Sequence, residues 1–385
     1  MLGLTQPLLE RYRAHWARGA EFLLVGGATL PALGLSLWLQ RYVGLSRSEW
    51  RTGCLFFYAA FVINDPHFAV TYLLFYRNLR ARAWGSVFGR AQRVRYWLAG
   101  FAVPFALVVW AGVALGLHSA TALGWMIQLM FLLVGWHYVK QGFGVLMVLS
   151  ARRGVRFSTR ERTVFLLHCF AGWAYAWTNP ALEARENEEK GVVYWAVAHP
   201  RALELAALVV LVASSLALGA LLVLKWRRER CLPPLAALTG FLLSIWSWSI
   251  YSGSDPLLRY AIPALHSIQY LYFVGLWQRN QALEEEGPPS FGRPLGARLG
   301  LLTLSALGLG WLLFHGAPGL LDEALVPRAR GQDPGPLGST PFFAAAFVIV
   351  NLHHYFMDHV IWRRENPETR FLRATRNPPE TLAIR

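Results

Sequence analysis

The chain has 385 residues, 55% of them hydrophobic and only 15% charged, against about 25% charged in an average soluble domain. Its net charge is +15, but the arginines gather in short segments beside apolar runs. That pattern excludes a nucleic-acid partner in favour of anionic lipid headgroups, and three scattered cysteines without a CxxC pair exclude a disulfide scaffold, an iron–sulfur cluster and a thiolate zinc site.

The expected fold class is all-α: a polytopic integral membrane bundle of about ten transmembrane helices, at ~20 residues per crossing. Residues 1–20 read as a polar, basic cytoplasmic segment without the pattern of a cleavable signal. Residues 21–362 form one transmembrane helical domain, and residues 363–385 a basic cytoplasmic tail. The predicted spans are 21–40, 53–76, 97–117, 122–150, 164–177, 203–224, 232–251, 257–278, 297–315 and 341–362. The connections after the second, fourth, sixth and eighth spans hold most of the arginine, as do the ends of the chain. The connections after the third, fifth, seventh and ninth are short, acidic or mixed. The loop with Arg47 and Arg51 is the exception. An even span count with both termini cytoplasmic, in the cell membrane, satisfies the charge rule nearly everywhere. No internal repeat supports an inverted-repeat transporter.

Four of the even-numbered spans carry histidine in apolar sequence: Asn64-Asp65-Pro66-His67, His137-Tyr138-Val139-Lys140-Gln141, His266-Ser267-Ile268-Gln269-Tyr270, and Asn351-Leu352-His353-His354-Tyr355-Phe356-Met357-Asp358. Even-numbered spans run in one direction, so depth is counted from each basic edge. His67 precedes Arg77, His137 precedes Arg152, His266 precedes Arg279, and His354 precedes Arg363. At ~1.5 Å per residue all four lie roughly 14–22 Å deep in a core ~30 Å thick. Ionisable groups at such depth are costly and mark functional sites.

The predicted metal ligands are His67, His137, His266, His353, His354, Asp65 and Asp358. Of the adjacent pair, His354 has the stronger claim, because Asp358 and Asn351 share its face. His168 is an extra candidate, whereas His15, His118, His199 and His315 are edge residues without a role. Asn64, Gln141, Gln269 and Asn351 are predicted to orient the rings. Pro66 is expected to kink its helix and turn Asp65 and His67 toward one centre. Lys140, Tyr138 and Tyr270 are the catalytic candidates; for Lys140 the alternative is a side chain that snorkels to the cytoplasmic edge.

Imidazole and carboxylate without thiolate suit a metal ion: iron, mono- or binuclear, ahead of zinc. A centre buried in a membrane acts most naturally on a lipid-soluble substrate. The expected function is therefore a metal-dependent membrane oxidoreductase of hydroxylase, desaturase or oxygenase type. Its expected partners are membrane lipids, that substrate and an electron-donor protein. The alternatives are a proton- or ion-coupled transporter using the same His/Asp/Lys layer, and a haem-binding membrane protein. A layer of membrane-buried histidines is similar to that of the histidine-rich integral-membrane di-iron oxygenases and desaturases. Their HxxxH and HxxHH boxes are absent here, and the chain is not assigned to that family.

Overall fold

A computed structural model describes residues 15–178, 186–326 and 335–373. Most of the N-terminal segment, part of the acidic loop with Glu183, and most of the C-terminal tail fall outside the described residues. Within them the protein is helical apart from one antiparallel hairpin, β1 (Glu186–Glu189) on β2 (Val192–Trp195). The hairpin lies in what reads in sequence as the acidic loop.

The helices are α1 (His15–Gly27), α2 (Thr29–Tyr42), α3 (Leu45–Ala60), α4 (Asn64–Tyr76), α5 (Leu79–Ala83), α6 (Arg90–Gly116) and α7 (Ala120–Arg152). After them come α8 (Thr159–Thr178), α9 (Arg201–Glu229), α10 (Leu235–Gly253), α11 (Pro256–Glu285), α12 (Leu295–Leu325), α13 (Pro341–Ile361) and the short α14 (Arg370–Arg373). Six rods are long and apolar enough to cross a membrane: α3 with α4, then α6, α7, α9, α10 and α12. The pair α1 and α2, bent by 58°, makes a seventh. Rods of this kind suggest a membrane protein. Large apolar side chains such as Phe105, Val209, Leu216 and Leu304 stand exposed on their outer faces, as lipid contact requires. The remaining long helices are less apolar for a visible reason. α8 opens on Arg160, Glu161 and Arg162, and α11 and α13 carry the polar residues of the histidine stretches.

Three interruptions shape the bundle. Gly26 takes φ 137°, a conformation glycine adopts at little cost, and this separates α1 from α2. Phe61–Ile63 break the helical run before Asn64. Pro66, two residues on, has no N–H for the carbonyl of Val62. The break predicted at Pro66 therefore falls upstream of it, and α4 starts just before the site. In α12 the turn Leu312–Gly316 widens to π geometry before Pro318, where the proline again leaves a carbonyl unmatched.

α13 packs against both α4 and α7, and α11 against α4. At the arginine-rich end the chain after α13 folds back across the bundle. Glu368 accepts from Arg77 and Arg82, each at 2.8 Å, while Asn280 and Arg152 donate to the carbonyls of Phe371 and Leu372. Nearby, Lys225 is buried between Glu161 and Glu229 at the end of α9.

Candidate metal centre

His67 on α4, His137 on α7, His266 on α11 and His354 on α13 bring their rings to one point. A ligating nitrogen from each lies within 4.8 Å of all the others, and all four residues are buried. Nε2 of His67 is 3.1 Å from Nε2 of His354, and Nε2 of His137 is 3.1 Å from Nε2 of His266. Two nitrogens 3.1 Å apart subtend about 100° at an ion bonded at ~2.0–2.1 Å. That angle suits neighbouring positions around one metal. The widest permitted pair would close by a few tenths of an ångström per ligand. These four histidines could hold a metal ion.

The sequence spacing explains why α13 also supplies an acid. Asp358 lies one helical turn after His354 and therefore on the same face. Its Oδ2 is 3.3 Å from His354 Nε2 and 3.8 Å from His137 Nε2. Its Oδ1 turns the other way and accepts from Tyr270 Oη at 3.1 Å and Trp362 Nε1 at 3.2 Å, with Thr71 Oγ1 at 3.5 Å. Thr71 and Tyr270 also bond each other at 2.7 Å. One carboxylate oxygen is thus fixed by its neighbours and the other is left facing the imidazoles.

The tautomer of His67 follows from its partners. Its Nδ1 is 3.1 Å from the backbone carbonyl of Asn64, and a carbonyl only accepts. Nδ1 therefore carries the proton and Nε2 presents a lone pair to the centre. Ser267 Oγ, also at 3.1 Å from Nδ1, adds a second contact and reaches Asn64 Oδ1 at 3.1 Å. Asn64 so acts on the ring through its main chain, and its side chain acts one step further out. Nδ1 of His266 and Nδ1 of His354 have no hydrogen-bond partner among the described residues. Packing orients these two rings: Tyr138 lies 4.8 Å from His266 and Phe68 4.7 Å from His354, centroid to centroid.

Other predicted residues fall elsewhere. Asp65 does not reach the centre: its Oδ2 lies 2.9 Å from Nε2 of His315. Asp65 and His67 sit on different sides of α4, and the break before Asn64 does not bring them together. Gly310 of α12 permits this contact, since a Cβ there would meet the Asp65 carbonyl at 2.8 Å. His315, given no role in the sequence reading, is thus the partner of Asp65, and its ring stacks on Phe61 at 4.2 Å. His353 also points away: its ring joins Tyr72 Oη and the carbonyl of Ala99, each at 3.0 Å, and so fastens α13 to α4 and α6. His168 bonds Ser214 on α9 at 3.1 Å. Lys140 sits with its ammonium 5.4 Å from the Phe143 ring and does not join the group.

The two glutamines act on the backbone and not on a ring. Gln141 Nε2 donates to the carbonyl of His266 at 3.2 Å and to Gln269 Oε1 at 2.8 Å. Gln269 in turn donates to the carbonyl of Val25, which the break at Gly26 leaves open. The amide pair thus ties the interrupted α1 to α7 and α11 beside the centre. Asn351 accepts from Tyr355 Oη at 3.2 Å, and the Tyr355 ring lies 4.8 Å from His137 at a 30° tilt. Ser267, Tyr355 and Trp362 were not singled out from sequence. Trp362 could have been, because it lies one turn after Asp358.

In comparisons with protein-family models, curated proteins and solved structures, none matches this chain.

Proposed function

We propose that the protein is an integral-membrane, metal-dependent oxidoreductase that acts on a lipid-soluble substrate at the centre formed by His67, His137, His266, His354 and Asp358. The observation that carries this reading is the convergence of four buried imidazoles with the free oxygen of a carboxylate otherwise held by Tyr270 and Trp362. Four nitrogens and one oxygen, without sulfur, suit iron, with zinc less favoured. Five protein donors leave one position of a six-coordinate ion for oxygen or substrate, which suits hydroxylation, desaturation or oxygenation. The donor set describes one ion, so the mononuclear form of the iron expectation is the one retained. Tyr270 and Tyr138 stand beside the centre and would position substrate or protons.

Burial among apolar rods favours an acyl chain or another lipidic molecule as the substrate class. In this reading all ten rods cross the bilayer, the bent pair counting as one and α3 with α4 as another. The arginine-rich end faces the cytoplasm with both termini, as the charge rule requires. Membrane lipids surround the bundle, and a soluble carrier supplies electrons.

The transporter reading placed Asp65, Lys140, the buried histidines and Asp358 in one relay layer. Asp65 pairs with His315 and Lys140 stands over Phe143, so these two stand apart, and the convergence of the remaining groups on one point favours a metal over a relay. Four rings aimed at a single point also leave no plane for a porphyrin. Metal analysis of detergent-purified protein tests the proposal. One equivalent of iron without a Soret band supports it, and protein free of metal after purification without chelators sinks it.

A further inference from the structure

Tyr270, Trp362 and Trp277 form a run of aromatic rings between the centre and the arginine-rich end. Trp362 Nε1 donates to Asp358 Oδ1 at 3.2 Å. Its ring meets Tyr270 edge-on at 5.2 Å and Trp277 edge-on at 5.4 Å. Tyr270 and Trp277 are fully enclosed, at 2% and 0% exposure. Trp362 is only partly buried, and it immediately precedes Arg363 and the exposed Arg364. The indole N–H of Trp277 has no partner among the described residues, so packing in the core and against Trp362 holds this ring. A buried indole N–H without a bond costs stability, and hydrocarbon packing would be served as well by leucine or phenylalanine. The Trp362 indole both bonds an acid of the centre and reaches the edge of the protein, which gives an electron a short bonded route.

We propose that Trp362 is the electron port of the centre, an inference that rests on the metal-enzyme reading above. A water-soluble one-electron carrier at the arginine-rich end gives up one electron. The electron crosses the Trp362 indole and the Asp358 carboxylate and lowers the charge of the metal ion by one. The carrier is oxidised by one electron, no covalent bond forms or breaks, and the indole keeps its N–H. The exposed Arg80, Arg90, Arg364 and Arg370 around this end favour a carrier with an acidic face.

The test mixes oxidised, metal-loaded protein with dithionite, an anionic one-electron donor, and follows reduction of the metal by its optical or paramagnetic signal. Trp362→Phe should keep its metal and slow reduction by about tenfold or more, equivalent to about 1.4 kcal/mol on the barrier. If Trp362→Phe loses its metal, Trp362→Tyr, which keeps a donor near Asp358, carries the same comparison. Tyr270→Phe removes a donor to the same oxygen without interrupting the port. If Tyr270→Phe and Trp362→Phe slow reduction equally, Trp362 only orients Asp358 and the port is refuted. Reduction at the wild-type rate in the Trp362 variants refutes it as well. Wild-type reduction that the Trp362 variants match overturns the port alone, whereas a wild-type metal that dithionite cannot reduce, or wild-type protein that holds no metal, overturns the oxidoreductase reading itself.

Discussion

Nε2 of His67 lies 3.1 Å from Nε2 of His354, although the Nδ1 of His67 is committed as a donor to the Asn64 carbonyl. The lone pair of His67 therefore points at a second imidazole nitrogen in a site closed to water. A shared proton or a cation must lie between them; His137 and His266 converge on the same point, and Asp358 stands beside His354 and His137. A metal ion could satisfy the four imidazoles at once. Replacing His67 or His266 by alanine should abolish stoichiometric metal while the protein still inserts, because the spans remain apolar. Metal analysis of both variants is the check, and full occupancy in either would remove that residue from the centre.

Metal binding should also appear as stability. A ligand bound only by the folded state stabilises it by about 2.7 kcal/mol at a hundred times its dissociation constant. Chelator treatment should lower the thermal midpoint of the detergent-purified protein, and adding the metal back should restore it. The His266→Ala variant should show neither response.

Asp358→Asn preserves most of the shape and removes the charge. Tyr270 and Trp362 can still donate to the amide oxygen, so the fold should survive. The remaining amide group is a poorer donor to a metal than the carboxylate oxygen it replaces. We expect reduced metal occupancy and loss of activity with intact protein. Unchanged occupancy would show that Asp358 is not a ligand.

The orientation of His67 separates two neighbouring residues. Ser267→Ala deletes a direct contact to Nδ1 and should cost roughly 10–100-fold in metal affinity. Asn64→Ala removes only the side chain beyond it and leaves the backbone carbonyl on the ring, so its effect should be smaller. Equal losses in metal titrations of the two variants would contradict this ordering.

The broken first rod gives a test of structure without chemistry. A Cβ at Gly240 would collide with the Val25 carbonyl, the same atom that accepts from Gln269. Gly240→Ala should displace Val25 and leave the Gln269 amide unpaired, at a cost of about 1–3 kcal/mol. Denaturation should report that loss while metal content stays at the wild-type level.

For topology, cysteines introduced near Arg90 and Arg156 should resist an impermeant external reagent, and one near Glu188 should react. The reverse pattern would invert the bundle without affecting the centre.

Much of this architecture was legible in the residues themselves. Long continuous apolar runs favour helices in hydrocarbon, because a helix satisfies its backbone groups within a single segment. The distances of His67, His137, His266 and His354 from their basic edges place them at compatible depth. The turn between His354 and Asp358 puts both on one face, since helical spacing is a local property. Rotation of each helix about its own axis is not local, and sequence alone left it open. His353 and His354 are equivalent in composition and depth, yet the packing of α13 against α4, α6 and α7 aims one at the centre and the other at Tyr72 and Ala99. Asp65 is drawn to His315 because Gly310 lets α12 approach that side of α4. Gln269 meets Val25 because a glycine breaks a helix far away in the chain. Spacing along the chain determined which residues share a face and a depth; only the packing of helices distant in sequence decided which faces meet.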